Sequence, residues 1–287
     1  MAPDHVPFTD NRWLRAEGLF VAEGRFIVRR VLALPGWRVR RVLVTPVARD
    51  AAGIPALVDA LPPGRRPSIE VLAPEMLDAA GGVRFHQGCV ALVDRPRTTD
   101  IAALDPAGLA AADPGAPDAE APTGGASRVV VLEAVRDPDN VGAIARSALA
   151  FGARALLLGP GCADPLYRKT VRTSMGTILS LPFAEATPWP DALDVLRDAG
   201  FSIVALTPDP AAEPLAAAAA ALASRPTALV LGSEGEGLSP GAIARADRRV
   251  RIPTAPVVDS LNVAMTAAIA LYALTGPAVV AGEGDRR

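Results

Sequence analysis

The chain has 287 residues, of which 50% are hydrophobic and 21% are charged. This length predicts two domains, and the composition excludes a globally disordered chain. Cys89 and Cys162 stand far apart and in no metal-ligand spacing. We therefore expect no disulfide framework, no metal site and a reducing, cytoplasmic location. The first residues, Met1–His5, show no secretory leader pattern.

Charge is unevenly distributed along a chain whose formal net charge is −2. Residues 1–50 carry nine arginines and five acidic residues, whereas Thr98–Ser127 carries five acidic residues and no base. A basic end can bind the phosphates of a nucleic acid, because phosphate neutralisation is local. Lys169 is the only lysine, so a compositional bias toward arginine explains the same density equally well.

Residues 1–97 predict a small α/β domain. Apolar residues at helical spacing predict a helix over Phe20–Leu34, and a shorter helix is expected over Ile54–Leu61. Strands are predicted over Val39–Thr45, Ser68–Leu72 and Gly88–Val93. Residues 98–127 then form a Pro/Gly/Ala-rich stretch that predicts a linker, because it offers little to bury.

Residues 128–287 alternate strands and helices more clearly. The predicted strands are Arg128–Glu133, Ala155–Leu158, Ser202–Leu206, Ala228–Leu231 and Val250–Ile252. The predicted helices are Val141–Phe151, Asp191–Ala199, Leu215–Ala223, Pro240–Ala246 and Leu261–Leu274. Apolar strands separated by helices indicate a parallel sheet covered on both faces. The uncharged run Ser260–Gly282 could suggest a membrane span, but its alanines, Asn262 and Pro277 favour a buried helix ending near Thr275.

Ligands of parallel sheets bind at the carboxyl ends of strands, where three loops are distinctive here. In Glu133–Asn140, Asp139 or Asn140 is placed to cap a helix, and Arg146 would lie in the second turn, able to grip a phosphate bidentately. A capped helix with a solvated arginine is the alternative. The sequence contains neither a dinucleotide-binding fingerprint nor a P-loop in this half, which disfavours a nucleotide enzyme built on those motifs.

The second loop, Leu231–Leu238, holds three glycines around Glu234, which would let the backbone approach a ligand closely. A flexible turn explains these glycines as well. The third loop, Ile252–Asn262, places Ser260 and Asn262 at the start of an apolar helix, where their alternative role is helix capping.

Taken together, these loops carry D-P-x-N-x-G-x-x-x-R, then L-G-x-E-G-x-G-L, then I-P followed by S-L-N-V. In this order they resemble the motifs of the SpoU (TrmH-type) family of RNA ribose 2′-O-methyltransferases, in the SPOUT class, over about Arg128–Ala278. Ala16–Gly24 and Gln87–Ala91 resemble the L30e-like RNA-binding domain of two-domain members. Thr254 departs from the methionine usual after Ile-Pro, which is expected to change the pocket lining but not the reaction.

The resemblance implies an L30e-like α/β domain followed by a parallel-sheet α/β domain with a trefoil knot. It implies transfer of a methyl group from S-adenosylmethionine to a ribose 2′-hydroxyl, without a metal. The implied catalytic residues are Asn140, Arg146, Glu234, Ser260 and Asn262. The implied cofactor-binding residues are Leu206, Thr207, Gly232, Ile252 and Leu261. The arginine-rich end nominates Arg12, Arg15, Arg25, Arg29 and Arg30 for RNA binding.

The resemblance also implies a homodimer through the C-terminal domain, and a structured RNA substrate, with 23S rRNA favoured over tRNA. Because an arginine is a poor proton acceptor, the expected role of Arg146 is to hold the RNA phosphate and stabilise the developing alkoxide. Two other function classes stay open at this point: a different α/β enzyme that uses nucleotides, and an RNA-binding protein with a degenerate site.

Overall fold

Helices and strands alternate along the chain. The computed structural model describes residues 8–81, 85, 87–97, 100–111, 126–255, 257 and 260–275. Its helices are α1 (Asn11–Ala16), α2 (Arg25–Ala33), α3 (Pro46–Ala52), α4 (Ile54–Asp59), α5 (Pro74–Gly81), α6 (Pro106–Ala110), α7 (Pro138–Ala150), α8 (Arg168–Thr173), α9 (Ala192–Asp198), α10 (Leu215–Leu222), α11 (Pro240–Ala244) and α12 (Val263–Thr275). Its strands are β1 (Leu19–Glu23), β2 (Val39–Val44), β3 (Ser68–Val71), β4 (Cys89–Asp94), β5 (Arg128–Leu132), β6 (Ala155–Leu158), β7 (Phe183–Glu185), β8 (Ser202–Leu206), β9 (Glu213–Pro214), β10 (Thr227–Leu231) and β11 (Arg248–Arg251).

The chain divides into two units, and neither is continuous in sequence. The first unit comprises Met1–Arg97 and Asp164–Ser180, and the second comprises Thr98–Ala163 and Leu181–Arg287. This division differs from the predicted one in two places. A segment from the predicted second domain belongs to the first unit, and the start of the predicted linker belongs to the second unit.

The first unit is built on a four-stranded sheet of order β1-β4-β2-β3. Strand β4 is antiparallel to both β1 and β2, while β3 runs parallel to β2. The strands predicted at Val39, Ser68 and Gly88 are confirmed to within one residue at each end. The helix predicted over Phe20–Leu34 is wrong in its first part, because β1 occupies Leu19–Glu23 and all five of its residues are buried. Gly24, at a φ of 97°, separates this strand from α2.

Buried ion pairs attach Asp164–Ser180 to the rest of the first unit. The Asp164 carboxylate accepts two hydrogen bonds from the Arg95 guanidinium, at 2.9 and 2.6 Å. Glu23 lies 3.4 Å from the Arg168 guanidinium, and its side chain is 5% exposed. Removing one partner of either pair would leave a buried charge without a counter-ion, which typically lowers the free energy of unfolding by about 3–5 kcal/mol. The segment is therefore an integral part of this unit.

The second unit is built on a seven-stranded sheet of order β7-β6-β5-β10-β8-β11-β9, in which every pairing is parallel. Apolar strands buried on both faces form its core, as the sequence predicted. All five predicted strands are confirmed to within two residues at each end. Strands β7 and β9 were not predicted, since they have only three and two residues and lie at the two edges.

Part of the predicted linker is packed against the second unit. Ile101 and Ala110 belong to its buried apolar cluster, together with residues of the parallel sheet. The Asp100 carboxylate accepts from the backbone N–H of Ala103, and the Ser127 hydroxyl donates to the carbonyl of Leu109. Residues 112–125 lie outside the described residues. The prediction failed at 100–111 because single apolar residues among alanines give no periodic signal.

Candidate active site

Four neighbouring strands end at the same edge of the second unit's sheet and carry the distinctive loops. Strand β5 leads into the first loop, β10 into the second and β11 into the third, while β8 ends at Leu206. From β5, the chain continues to β6 on one side, whereas β10 lies on the other side. Strand order thus reverses between β5 and β10, and such switch points are where open α/β sheets bind ligands.

Three polar side chains, one from each loop, form a hydrogen-bonded cluster, here called the amide–carboxylate cluster: Asn140, Glu234 and Asn262. The Glu234 Oε1 atom accepts from Asn140 Nδ2 at 3.0 Å and from Asn262 Nδ2 at 2.6 Å. Asn262 Nδ2 also donates to Asn140 Oδ1 at 2.9 Å. Residues separated by up to 122 positions are thereby joined at one point of the sheet edge. The structure brings these three predicted site residues together.

Asn262 has a second set of contacts at the start of α12. Its Oδ1 atom accepts from the backbone N–H groups of Ala264 at 3.0 Å and Met265 at 3.2 Å. These are helix-capping bonds, which the sequence had left as an alternative role. Because the amide oxygen is fixed by the cap, the amide nitrogen is aimed at Glu234. Capping and cluster formation are therefore carried out by opposite ends of one side chain.

The first loop differs from the prediction in how its helix begins. Asp137 is the N-cap of α7, and its carboxylate accepts from the backbone N–H of Asp139 at 2.9 Å. The prediction that Asp139 or Asn140 is the cap is wrong, since Pro138 already occupies the first helical position. Arg146 consequently lies in the third turn rather than the second, about 9 Å along the axis from Asn140. Its side chain is exposed and makes no hydrogen bond or ion pair with another residue that the structure describes.

The second loop folds back on itself, and Gly232 is the residue that permits this. A β-carbon at Gly232 would overlap the backbone of Gly237 and Leu238. The N–H of Gly237 donates to the Ser233 carbonyl at 3.2 Å, which closes the loop. The sequence had predicted a small residue here so that the backbone could approach a ligand. The structure describes a close approach to the chain's own backbone at this position, and contact of Gly232 with a ligand stays a prediction.

A buried carboxylate that the sequence analysis missed joins the first loop to the end of the second. Glu133 is 6% exposed and follows β5 directly. Its Oε1 atom accepts from Trp189 Nε1 at 2.6 Å, and its Oε2 atom accepts from the backbone N–H of Ser239 at 2.8 Å. A glutamate at the end of an otherwise apolar strand was the available signal, because a carboxylate is rarely buried without partners.

A cavity of about 480 Å³ opens beside the amide–carboxylate cluster. This volume lies within the usual range of small-molecule sites, about 300–1,000 Å³. Its walls are the loops after β8, β10 and β11 together with the start of α12. The lining includes Leu206, Thr207, Gly232, Glu234, Ile252, Thr254, Ser260 and Leu261. All five residues predicted to bind a cofactor therefore share one cavity, whereas Asn140, Arg146 and Asn262 of the predicted catalytic set are not among its lining residues.

Comparison with known proteins identifies the family of the chain that carries these loops. Residues 127–272 match the model of the SpoU rRNA Methylase family. An uncharacterized tRNA/rRNA methyltransferase of Mycobacterium tuberculosis is 36% identical over 264 residues, which are 90% of this chain and 81% of that protein. The chain belongs to the SpoU rRNA Methylase family.

Two further relatives bear on the SpoU family assignment. The 23S rRNA (guanosine(2553)-2′-O)-methyltransferase RlmP of Bacillus subtilis is 32% identical over 151 residues, which cover 52% of this chain and 59% of that protein. The SpoU methyltransferase AviRb of Streptomyces viridochromogenes, solved in complex with the cofactor AdoMet, superposes with a TM-score of 0.70. It is 25% identical, and the match covers 97% of this chain and 96% of that one. The similarity to AviRb thus includes both units.

Outside the SpoU motifs, the arginines nominated for RNA binding occupy the first unit and differ in their partners. Arg29 donates to the carbonyl of Ala52 at 2.6 Å, and Arg30 donates to the carbonyl of Met175 at 3.3 Å. Arg15 lies 3.7 Å from Asp164, with its side chain 52% exposed. Arg12 and Arg25 are exposed. Part of this arginine set therefore also stabilises the unit.

The structure also bears on the sequence predictions about thiols, metal ions and membrane spans. Burial raises the pKa of the Cys89 thiol to about 12 and that of Cys162 to about 11, so both are neutral thiols near pH 7. The described residues contain no group of three histidine, cysteine or carboxylate side chains that would hold a metal ion. None of the described helices combines the length and apolarity that a membrane span requires.

Proposed function

We propose that this chain transfers a methyl group from S-adenosylmethionine to a ribose 2′-hydroxyl of a structured RNA. The observation that carries the proposal is the convergence of Asn140, Glu234 and Asn262 beside the cavity. Membership of the SpoU family supports an RNA methyltransferase. The name of RlmP supports both the 2′-hydroxyl as acceptor and 23S rRNA as the favoured substrate over tRNA. An enzyme acting on either RNA would work in the cytoplasm.

The cavity fits the methyl donor in size and in chemistry. Its glycine-rich wall offers backbone N–H and C=O groups for the polar parts of the cofactor, and Leu206, Ile252 and Leu261 offer apolar surface for its flat adenine ring. We assign Thr207 and Gly232 to the same ligand because both line the cavity. When bound, this cofactor supplies a methyl group already activated by a positively charged sulfur. The protein then has to orient the acceptor hydroxyl and assist removal of its proton.

The chain's own residues divide this work. The amide–carboxylate cluster holds the three loops in register, so that the cavity and the acceptor site keep a fixed geometry. Ser260 lines the cavity and offers a hydroxyl there. Arg146, whose side chain is exposed on α7, holds the RNA phosphate and stabilises the developing alkoxide. Its planar guanidinium suits a phosphate better than it suits a role as proton acceptor.

The remaining features of the proposal concern architecture and assembly. We assign a trefoil knot to the second unit and an L30e-like fold to the first, on the sequence resemblance. We also propose a homodimer in which α12 helps to bury the interface. The support is an exposed apolar stripe on that helix, where Met265 is 59%, Ile269 39% and Tyr272 62% exposed. These residues recur at helical spacing, so they form one face.

The test of function uses the purified full-length protein and three measurements. Calorimetry is expected to detect S-adenosylmethionine binding, and labelled methyl groups are expected to enter ribosomal RNA from a strain lacking the gene. Mapping of 2′-O-methyl sites with and without the gene then identifies the nucleotide. Failure to bind the cofactor would favour a different α/β enzyme, whereas binding without methyl incorporation would favour an RNA-binding protein with a degenerate site. Light scattering that returned a monomer mass would contradict the dimer.

A further inference from the structure

The first unit exposes an aromatic side chain within an arginine-rich surface. Phe26, in the first turn of α2, is 54% exposed. The Arg25 guanidinium carbon lies 4.9 Å from the centre of the Phe26 ring. The next residues, Ile27 and Val28, are buried at 3% and 0% exposure, so α2 directs Phe26 away from the core. Core packing therefore does not account for a phenylalanine at this position.

Through Arg30, the helix that carries Phe26 contacts a segment with another exposed arginine and another exposed apolar side chain. Arg30 follows it by four residues on the same helix, where side chains are neighbours, and donates to the Met175 carbonyl at 3.3 Å. The Met175 side chain is 40% exposed. The N–H of Met175 donates to the Arg172 carbonyl at 2.9 Å, and the Arg172 side chain is exposed. We call Arg25, Phe26, Arg30, Arg172 and Met175 the α2 patch.

The charge of the two units differs strongly. The sequence of the first unit contains 17 basic and 11 acidic residues, a net charge of +6. The sequence of the second unit accordingly carries −8, because the whole chain carries −2. Helix α2 itself holds three arginines and no acidic residue. The chain thus concentrates its positive charge in the unit that exposes Phe26, which fits a polyanionic partner.

We propose that the α2 patch binds an unpaired nucleotide of the RNA substrate, with the base stacked on Phe26 and the phosphate held by Arg30 and Arg172. The proposal rests on the proposed function, since it takes the substrate to be RNA. Arg25 lies over the ring of Phe26, which is still 54% exposed and can therefore receive a base. Aromatic rings and guanidinium planes are the surfaces on which proteins stack splayed-out RNA bases. A paired base cannot take this place, because its faces are covered within the duplex.

The experiment measures RNA affinity by fluorescence anisotropy with the full-length protein. The probes are a hairpin with an unpaired pyrimidine loop and a blunt duplex with the same number of phosphates. Wild-type protein is expected to prefer the hairpin. Phe26→Ala is expected to weaken hairpin binding between about 5-fold and about 150-fold and to remove the preference, whereas Phe26→Tyr retains it. Val47→Ala is the matched control, because Val47 is 80% exposed in the same unit.

Salt dependence separates stacking from phosphate contact. Phe26→Ala is expected to leave the salt slope of hairpin binding unchanged, while Arg172→Ala makes it shallower by about 0.7. S-adenosylmethionine affinity is expected to be unchanged in all these variants.

If Phe26→Ala and Val47→Ala bound the hairpin with equal affinity, the inference would be overturned. Intact methyl transfer by Phe26→Ala would in that case leave the proposed function standing. Conversely, a wild-type protein that prefers the hairpin through Phe26 but neither binds the cofactor nor transfers methyl groups would refute the proposed function alone.

Discussion

Replacement of Gly232 by alanine tests the second loop most directly. The new β-carbon would overlap the backbone of Gly237 and Leu238, which, unlike a side chain, cannot rotate away. Overpacking of this kind costs about 1–3 kcal/mol, and backbone neighbours place the expected loss of unfolding free energy near the upper end. Because the whole loop lines the cavity, the loop shift should also weaken S-adenosylmethionine binding at least about tenfold, or 1.4 kcal/mol.

Gly235 provides a matched control within the same loop. A β-carbon there meets no atom within 4 Å, so Gly235→Ala is expected to change stability by no more than about 0.5 kcal/mol. Urea unfolding measures the first quantity for both variants, and calorimetry measures the affinity. Equal cofactor affinity in Gly232→Ala and Gly235→Ala would refute the reasoning. A destabilised Gly232→Ala protein with normal affinity would place the cofactor away from this loop.

The other predictions concern single side chains of the site. Arg146→Ala and Arg146→Lys should both abolish methyl transfer with nearly unchanged cofactor affinity, and near-normal turnover in either would contradict its role. Glu133→Gln turns an amide N–H₂ toward Trp189 or Ser239, so it should lower the unfolding free energy by about 1–3 kcal/mol, with Glu236→Gln, at the exposed loop tip, as control. Glu234→Ala removes the acceptor shared by both asparagines and should reduce turnover more than stability, because Glu234 is exposed; a normal single-turnover rate would argue against the cluster.

The convergence of the predicted site residues could be foreseen, because parallel strands end at one edge and each motif follows a strand. The cap could have been foreseen as well. Asp137, Asp139 and Asn140 are all good capping residues, but a proline favours the first helical position, so Pro138 points to Asp137. The hydrogen bonds of Glu133 could not be predicted, because its partners, Trp189 and Ser239, lie 56 and 106 residues away.

The failures in the first unit have the same physical origin. In Phe20–Leu34, apolar residues satisfied a helical period, yet pairing with β4 holds Leu19–Glu23 in a strand. Helix propensity is weak compared with burial in a sheet. The location of Asp164–Ser180 depends on ion pairs such as that between Arg95 and Asp164, which are 69 residues apart. Sequence patterns report local preference and contain no information on such distant partners.

The discontinuity of the first unit also sets an order of events during synthesis. Arg95 pairs with Asp164, and Glu23 pairs with Arg168. Because both partners are made late, the first unit cannot complete its fold until the chain has emerged past Ser180. By that point β5 and β6 of the second unit have already left the ribosome. Domains usually fold in order from the N-terminus as they are made. Here completion of the first unit is delayed until part of the second unit has been made, and nascent chains that stop before residue 164 should remain sensitive to protease in the first unit.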